Sequence, residues 1–402
     1  MKHFRGEKRF YYGMSVLVLV FIIAGLTSNL EGGVRGNRQE KEAFDQKQEE
    51  VQTKQENQEE ETQVVSNPNI RVLLMTDGYK NTIHPSVTVS STTGLSITYG
   101  EKVEECEAGT EVTFMPDDSR FQSGNIRIQA KEKEGEITVN SLKRGYGVPS
   151  YQGILELRTT AEGIAIINEL PVENYLCRVV PSEMPSGYEI EALKAQAVCA
   201  RTYAWKQMQG EGVSGYPADV DDSVSYQVYG NIQPQESTSE AVEETKGLIL
   251  TREGEPIEAY YFSTSAGATS TDEIWGAEEA APYLKSVVCE FDENSPWREW
   301  KVTIPWENLQ QKVSERTGTQ EKLLSVEVVT ESGDFSVDQE YEIRKLLSPQ
   351  ECTITEKDGT ETDGGSLLPS AYFTLKQKKG ESVEVTGGGY GHGVGMSQTA
   401  AN

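Results

Sequence analysis

Residues 170–209 read LPVENYLCRVVPSEMPSGYEIEALKAQAVCARTYAWKQMQ and contain the clearest helical pattern of the chain. Apolar residues recur in the first part at the spacing of one helix face: Val172, Leu176 and Val179. Glu183 comes next on that face. Pro181 lies between them, and because proline lacks an N–H and clashes with the preceding turn, it predicts that this helix ends or kinks near Val180.

A second helix is predicted from about residue 191 to 209. Its buried stripe consists mostly of small side chains: Leu193, Ala197, Ala200, Ala204 and Met208. Arg201 stands on this small-residue surface. A guanidinium there needs either a carboxylate partner or access to a cleft, because an unpaired buried charge is very unfavourable. A structural ion pair and a ligand contact are therefore both open for Arg201.

Short alternating apolar runs on both sides of this block predict strands. Before it they lie at residues 70–75, 87–90, 95–99, 126–130, 137–139, 151–157 and 163–167. After it they lie at 247–251, 257–262, 284–288, 300–304, 324–329, 371–375 and 383–385, with short helices at 306–316 and 338–347. The predicted fold class is mixed α+β. A β-rich lobe (67–169) precedes a helical pair and a second strand-rich part (170–402), which together form a substrate groove.

The N-terminal segment has the pattern of a membrane anchor. Residues 1–9 are basic and residues 10–26 are apolar without a charge, which fits a signal peptide or a short transmembrane helix. The length of the run and the lack of a small-residue cleavage site favour an uncleaved anchor over residues 1–28. The basic end is then cytoplasmic and the body (67–402) extracytoplasmic. Residues 29–66 are rich in Glu, Gln and Lys and predict a charged flexible spacer.

Charge and cysteine content exclude several classes of protein. The net charge of −27 argues against a nucleic-acid partner, which requires clustered Lys and Arg. The five cysteines include no CxxC pair, so zinc-ribbon and dithiol redox sites are not predicted. Cys177 and Cys199 fit buried small hydrophobes, and a bridge between them is the weaker alternative.

Two further stretches could carry chemistry. Residues 261–267 read YFSTSAG, and the side chains of Tyr261, Ser263 and Ser265 form either a sugar-binding edge or an ordinary strand-to-turn junction. Residues 387–398 read GGGYGHGVGMSQ and present His392 among glycines. This stretch matches neither a phosphate loop nor a dinucleotide fingerprint, and no GxSxG motif indicates a serine hydrolase.

Glu183 lies in Pro-Ser-Glu-Met-Pro, between the two predicted helices. A carboxyl group at an apolar junction is costly to ionise, so we expect its pKa to be raised toward the range of a general acid. On local evidence alone, a surface or capping glutamate fits this position better.

Four ordered blocks together resemble the stage II sporulation protein D and amidase-enhancer family, in its sporulation branch. They are LPVENYL at 170–176, PSEMP at 181–185, EALKAQAVCARTYA at 191–204 and GHGVGMSQ at 391–398. Weaker blocks are QVY at 227–229, the 263–269 run and IWG at 274–276. The resemblance covers about residues 70–398.

This resemblance implies a lytic transglycosylase that cuts peptide-free glycan strands of peptidoglycan in concert with a peptidoglycan amidase. It implies that Glu183 is the catalytic residue. It further implies substrate contacts from a larger set: Arg201, Gln227, Tyr229, Tyr261, Ser263, Ser265 and His392. Some sporulation members have a Cys- and His-containing zinc site before the QVY block. The equivalent stretch, 219–226, has neither residue type, so no metal and no other cofactor is expected.

Two other functions compete with the enzyme. A non-catalytic wall-binding module could use the same groove to stimulate a partner amidase. A purely structural membrane-tethered scaffold would explain the spacer but not the glycine–histidine block. The complete PSEMP setting of Glu183 favours the enzyme.

Overall fold

The computed structural model describes residues 62–275, 277–309, 328–330, 333–335, 337, 340–378 and 381–402. The predicted anchor and most of the predicted spacer lie outside these residues. Within the described part of the chain, no helix is both long and apolar enough to cross a bilayer. The contacts group the described residues into two compact units, a first unit of Glu60–Tyr260 with Ala401–Asn402 and a second unit of Tyr261–Ala400.

The first unit contains fourteen strands among its described residues. They are β1 (Thr62–Val64), β2 (Asn69–Leu74), β3 (Val87–Ser90), β4 (Leu95–Tyr99), β5 (Lys102–Cys106), β6 (Val112–Phe114), β7 (Ile126–Ala130), β8 (Ile137–Val139), β9 (Ser150–Tyr151), β10 (Ile154–Thr159), β11 (Ile164–Pro171), β12 (Val220–Asp221), β13 (Leu248–Arg252) and β14 (Glu255–Pro256). A 3₁₀ helix spans Ser119–Ser123. Thr62–Val64 falls inside the predicted spacer (29–66), so the last residues of that segment belong to the fold, where they pair with β13.

These strands form three sheets. The largest has the order β12-β2-β11-β10-β7-β4-β5, and β12 pairs with β2 in parallel while the other neighbours are antiparallel. Smaller sheets have the orders β6-β3-β8-β9 and β1-β13-β14. Residues Ile164 to Ile167 of the central strand β11 are all buried, which indicates that both faces are covered there. The predicted boundary at residue 170 lies inside this unit, because β11 runs directly into the first helix.

Three α-helices belong to the first unit: α1 (Val172–Glu183), α2 (Ile190–Met208) and α3 (Glu236–Glu244). The expected end of α1 near Val180 is not observed, since α1 continues through Pro181. Pro181 has no N–H to donate to the preceding turn, but neighbouring groups bond the carbonyls of that turn. The Ser182 hydroxyl donates to the Arg178 carbonyl (2.6 Å), and the Met184 N–H donates to the Val180 carbonyl (2.9 Å).

Four residues of the predicted α2 stripe, Leu193, Ala197, Ala200 and Ala204, are fully buried, and the fifth, Met208, is half-buried. Small side chains allow close approach of neighbouring backbones, and α2 packs against α1, α3 and β13. None of the five cysteines is joined in a disulfide, so the weaker Cys177–Cys199 alternative is not observed.

The second unit contains β15 (Tyr261–Phe262), β16 (Trp300–Pro305), β17 (Val328–Thr330), β18 (Gly333–Phe335), β19 (Thr353–Glu356), β20 (Glu361–Asp363), β21 (Phe373–Lys378), β22 (Ser382–Gly387) and β23 (Met396–Ser397). Its described helices are α4 (Glu340–Leu346), α5 (Gln398–Ala401) and the 3₁₀ helices Asp272–Trp275, Phe291–Asn294 and Pro296–Arg298. A five-stranded sheet has the order β20-β19-β16-β22-β21, and β15 pairs with β23 in parallel. Alternate residues of β16, namely Trp300, Val302 and Ile304, enter its hydrophobic core. The chain therefore has the mixed α+β fold expected from the sequence.

Candidate active site

Glu183 is the last residue of α1. The unbroken helix keeps it in phase with the buried apolar face that includes Leu176 and Val179. The next residue, Met184, leaves the helix with extended backbone angles. The helix end therefore holds the Glu183 carboxyl half-buried at the edge of the core of the first unit.

One hydrogen bond reaches this carboxylate within the described residues. The Val228 N–H donates to Glu183 Oε1 at 2.6 Å. No described Lys or Arg forms an ion pair with it. Burial raises the pKa of Glu183 from 4.5 to about 7, although the Val228 N–H acts to lower it. The direction of this pKa shift agrees with the expectation from the sequence, and its main cause is desolvation.

The side chains on either side of Val228 fix this N–H donor. Gln227 is 1% exposed and donates through Nε2 to the Ala200 carbonyl of α2 (3.3 Å). Tyr229 is fully buried, and its hydroxyl donates to Asn168 Oδ1 at 2.6 Å. Gln227 and Tyr229 thus lie in the interior of the unit, whereas the resemblance implied that they contact substrate. Their placement supports the backbone of Val228 instead.

Tyr175 of α1 connects this segment to the helix. Its hydroxyl donates to Gln227 Oε1 (3.2 Å), and its ring lies 4.8 Å from the ring of Tyr229, centroid to centroid. The ring of Tyr151 also lies against Tyr229, at 5.6 Å between centroids. Such aromatic packing adds to the burial energy of the rings. It makes the relative position of α1 and the 227–229 segment well defined.

A cavity of about 610 Å³ opens beside Glu183. Its walls come from three segments of the first unit: Tyr146, residues 181–187, and Ile232, Gln233 and Gln235. Glu183 is the only carboxylic acid in this lining, while serine hydroxyls and glutamine amides provide neutral polar groups. Such a lining suits a polyhydroxylated neutral ligand better than a charged one.

Arg201 does not line this cavity. It is fully buried, and its Nε and Nη2 atoms donate to the two carboxylate oxygens of Glu173 at 2.9 and 2.8 Å. Its remaining donors bond the carbonyls of Val242 (3.0 Å) and Leu248 (3.2 Å). Of the two alternatives open from the sequence, the structure places Arg201 in the ion pair. It connects α2 with the start of α1 and with the backbone around α3 and β13.

The other predicted residues lie in the second unit. Tyr261 belongs to β15 and Ser263 follows it, both half-buried. Ser265 is buried, and its N–H donates to Asp292 Oδ2 at 2.8 Å. The Ser397 hydroxyl also donates to Asp292, at 2.9 Å. The hydroxyl-rich run and the glycine-rich block are therefore brought together around the buried carboxylate of Asp292, which no sequence motif indicates.

His392 lies in the glycine-rich block, half-buried between aromatic rings. Its ring centroid lies 5.1 Å from that of Trp275 and 5.8 Å from that of Phe262. Burial, assisted by Arg344, lowers the pKa of His392 to about 4, so the imidazole is neutral at neutral pH. Glycine at position 391 allows the backbone before His392 to approach Phe262 closely. Its φ is +106°, and a Cβ there would lie 2.9 Å from the Phe262 Cβ.

Two residues of the site, Val228 and Tyr146, are not indicated by the sequence motifs. Val228 acts through its backbone N–H, which leaves no signature in side-chain identity. Tyr146 lies in a glycine-flanked turn that no motif marks. Among the described residues, no group of three His, Cys, Asp or Glu side chains has the arrangement of a metal site.

The first unit thus holds one desolvated glutamate in a cavity that is otherwise lined by neutral groups. The SpoIID family model, described as "Stage II sporulation protein", matches residues 160–252, which include Glu183, Arg201, Gln227 and Tyr229. The chain is 34% identical to Stage II sporulation protein D of Bacillus subtilis (strain 168) over 292 residues, 67% of this chain and 81% of that protein. It is 35% identical to Stage II sporulation protein D of Bacillus amyloliquefaciens over 250 residues, 59% of this chain and 69% of that protein.

A more distant relative is the Amidase enhancer of Bacillus subtilis (strain 168), 28% identical over 269 residues, which are 56% of this chain and 36% of that protein. The chain belongs to the SpoIID family, as the four sequence blocks indicated.

Proposed function

We propose that this protein is a lytic transglycosylase that cleaves peptide-free glycan strands of peptidoglycan, with Glu183 as its acid and base. The observation that carries this proposal is the state of the Glu183 carboxyl, which lines a cavity, has no ion-pair partner among the described residues and has a pKa of about 7. A general acid–base group works best when its pKa is close to the working pH. At pH 7 both of its forms are available in comparable amounts.

The proposed reaction uses these two forms in turn. Protonated Glu183 gives its proton to the glycosidic oxygen as the bond from that oxygen to C1 of N-acetylmuramic acid breaks. The resulting carboxylate takes the proton from the C6 hydroxyl of the same sugar, whose oxygen bonds to C1 and closes a 1,6-anhydro ring. Glu183 ends protonated and no water is consumed. The nucleophile is tethered to the reacting carbon, so proximity replaces a second catalytic group.

The composition of the cavity is consistent with this one-carboxylate scheme. Most glycoside hydrolases require two carboxyl groups about 5–9.5 Å apart, one as acid and the other as base or nucleophile. Glu183 is the only acid in the lining that the structure describes. The serine and glutamine side chains beside it can bond sugar hydroxyl and acetamido groups without adding charge.

Membership of the SpoIID family supports a role in cell-wall remodelling during sporulation, at engulfment. We infer that residues 1–28 anchor the chain in the cell membrane and that its body lies on the extracytoplasmic side, where the wall is. A peptidoglycan amidase is the expected partner, because removal of the stem peptides produces the bare strands used here as substrate.

A non-catalytic role is the second candidate. The relative named Amidase enhancer favours it, since similarity to that protein is compatible with a module that binds glycan and stimulates an amidase. Such a module would use the same cavity without breaking a bond. In that case Glu183 would contribute to binding only.

The test is incubation of the purified full chain with amidase-treated glycan strands, followed by mass spectrometry of the products. The wild-type chain should release fragments that end in 1,6-anhydro-N-acetylmuramic acid. Glu183→Gln should lower the rate at least ~100-fold, because it removes the proton donor. Glu189→Gln is the matched control, since Glu189 is exposed and its side chain caps no helix. Glycan binding without products would support the enhancer role, and products that persist in Glu183→Gln would overturn the assignment of the acid.

A further inference from the structure

A tight turn presents Tyr146 at the cavity beside Glu183. The Arg144 N–H donates to the Gly147 carbonyl (2.7 Å) and the Gly147 N–H donates to the Arg144 carbonyl (2.9 Å), so Gly145 and Tyr146 form a two-residue tip. Tyr146 is 76% exposed. A single exposed aromatic residue is not informative by itself. Tyr146 is informative because it lies in the wall of the Glu183 cavity.

The turn is held rigidly at its base. Arg144 is buried and ion-paired with the fully buried Asp222, and it also donates to the Met75 carbonyl at 2.7 Å. The Gly145 N–H donates to Asn231 Oδ1 at 2.8 Å. A Cβ at position 145 would lie 2.8 Å from the same oxygen, so glycine allows this close approach. An anchored ring loses little conformational freedom when a ligand binds.

The same anchor also connects the turn to the end of α1. Ile232, which follows Asn231, donates its N–H to Ser182 Oγ at 3.2 Å, and Ser182 precedes Glu183. The segment 231–232 thus bonds the Tyr146 turn on one side and the residue before the acid on the other. All of these residues belong to the first unit. The ring and the carboxyl consequently form parts of one preorganised site.

We propose that Tyr146 is a substrate-binding residue whose ring stacks on a pyranose ring of the glycan, next to the bond that faces Glu183. This proposal rests on the proposed function, and it adds the residue that positions the sugar. Pyranose rings have an apolar face of C–H groups, which packs favourably on the electron-rich face of an aromatic ring. Ser186 and Gln233, in the wall of the same cavity, provide hydrogen-bonding groups for the sugar substituents.

The test measures binding separately from cleavage. The full chain with Glu183→Gln serves as the parent, and the probe is fluorescently labelled, amidase-treated glycan strands. Adding Tyr146→Ala should raise Kd about 5- to 10-fold, the value of one stacking contact. Adding Tyr146→Phe keeps the ring and should change Kd less than about twofold. Tyr341→Ala is the matched control, because Tyr341 is a tyrosine of α4 in the second unit with 48% exposure.

The outcomes separate this proposal from the proposed function. An unchanged Kd in Tyr146→Ala, or an equal rise in Tyr146→Phe, would overturn the stacking role. A thermal midpoint of Tyr146→Ala equal to that of the parent is expected for so exposed a ring, and a large drop would overturn a purely binding role. A Kd that depends on the Tyr146 ring, together with a wild-type chain that forms no anhydro products, would support Tyr146 and overturn the transglycosylase. Anhydro products from the wild-type chain, together with a Kd that does not depend on the ring, would support the transglycosylase and overturn the role of Tyr146.

Discussion

The two ends of α1 each carry a glutamate, and the structure treats the two residues in opposite ways. Glu173, in the first turn, is 7% exposed and receives two hydrogen bonds from Arg201 and one from the Gly247 N–H (3.1 Å). Glu183, at the last position, receives one N–H from Val228 and pairs with no described cation. Both are withdrawn from solvent, yet only one has its charge neutralised.

The direction of the helix reinforces this difference. The positive end of the helix dipole stabilises an anion at Glu173, whereas the negative end disfavours one at Glu183. Desolvation then raises the pKa of Glu183 to about 7. Burial of a carboxyl group therefore does not define its role. The cation Arg201 makes Glu173 part of the framework, whereas Glu183 has no such partner among the described residues and keeps a raised pKa.

The largest expected effect comes from breaking the pair at the first end. Arg201→Ala leaves Glu173 as an uncompensated buried charge, so the free energy of unfolding should fall by about 3–5 kcal/mol. Denaturant titration measures this change. Lys246→Ala is the matched control, because Lys246 forms an exposed ion pair with Glu243 and its loss should have little effect.

A double replacement sharpens the same prediction. Arg201→Met combined with Glu173→Leu removes both charges and should recover much of the lost stability, since apolar residues of similar volume often replace a buried pair without penalty. If Arg201→Ala costs less than about 1 kcal/mol, the pair is not the structural connection described here.

The next effect concerns stability at the other end of α1. Between pH 4.5 and about 7 the unfolded chain ionises Glu183 while the folded chain keeps it protonated, so folding stability decreases as pH rises through this window. Above pH 7 the penalty is complete, up to about 3 kcal/mol for the full shift in pKa. Glu183→Gln removes it. The variant should therefore unfold at higher denaturant concentration than wild type at pH 8 but not at pH 4. A difference that does not depend on pH would contradict the raised pKa.

A smaller effect is expected where the 227–229 segment is anchored. Tyr229→Phe removes the hydroxyl that donates to Asn168 and leaves a buried amide oxygen without that donor, which should cost about 1–2 kcal/mol of unfolding free energy. Tyr226→Phe is the control, because no hydrogen bond from the Tyr226 hydroxyl exists within the described residues. Equal stability of both variants would show that the hydroxyl of Tyr229 does not hold the segment.

Periodicity predicted much of the fold. Val87–Ser90, Leu95–Tyr99 and Ile126–Ala130 form strands with the expected limits, and α2 differs by about one residue at each end. β5 was missed because its sequence, KVEEC, is mostly charged and lies at the edge of its sheet. α3 was missed because its sequence, ESTSEAVEE, contains few apolar residues. The expected strand at 284–288 forms only a single bridge, between Ala268 and Val288.

The site was predictable in part. The PSEMP block indicated Glu183, but not the N–H of Val228, because a backbone donor depends on tertiary structure. Gln227 and Tyr229 were expected at the substrate, although a motif does not reveal whether its side chains face the ligand or the core. The sequence left the role of Arg201 open between an ion pair and a ligand contact, because its carboxylate partner lies 28 residues away in sequence.

Titration of Glu183 itself shows whether this desolvated carboxyl exchanges its proton at neutral pH. Carbon-13 NMR of the side-chain carboxyls of the full chain, with the resonance assigned by its loss in Glu183→Gln, measures this pKa. We predict a midpoint of about 7. A midpoint near the ordinary value of 4.5 would contradict the claim.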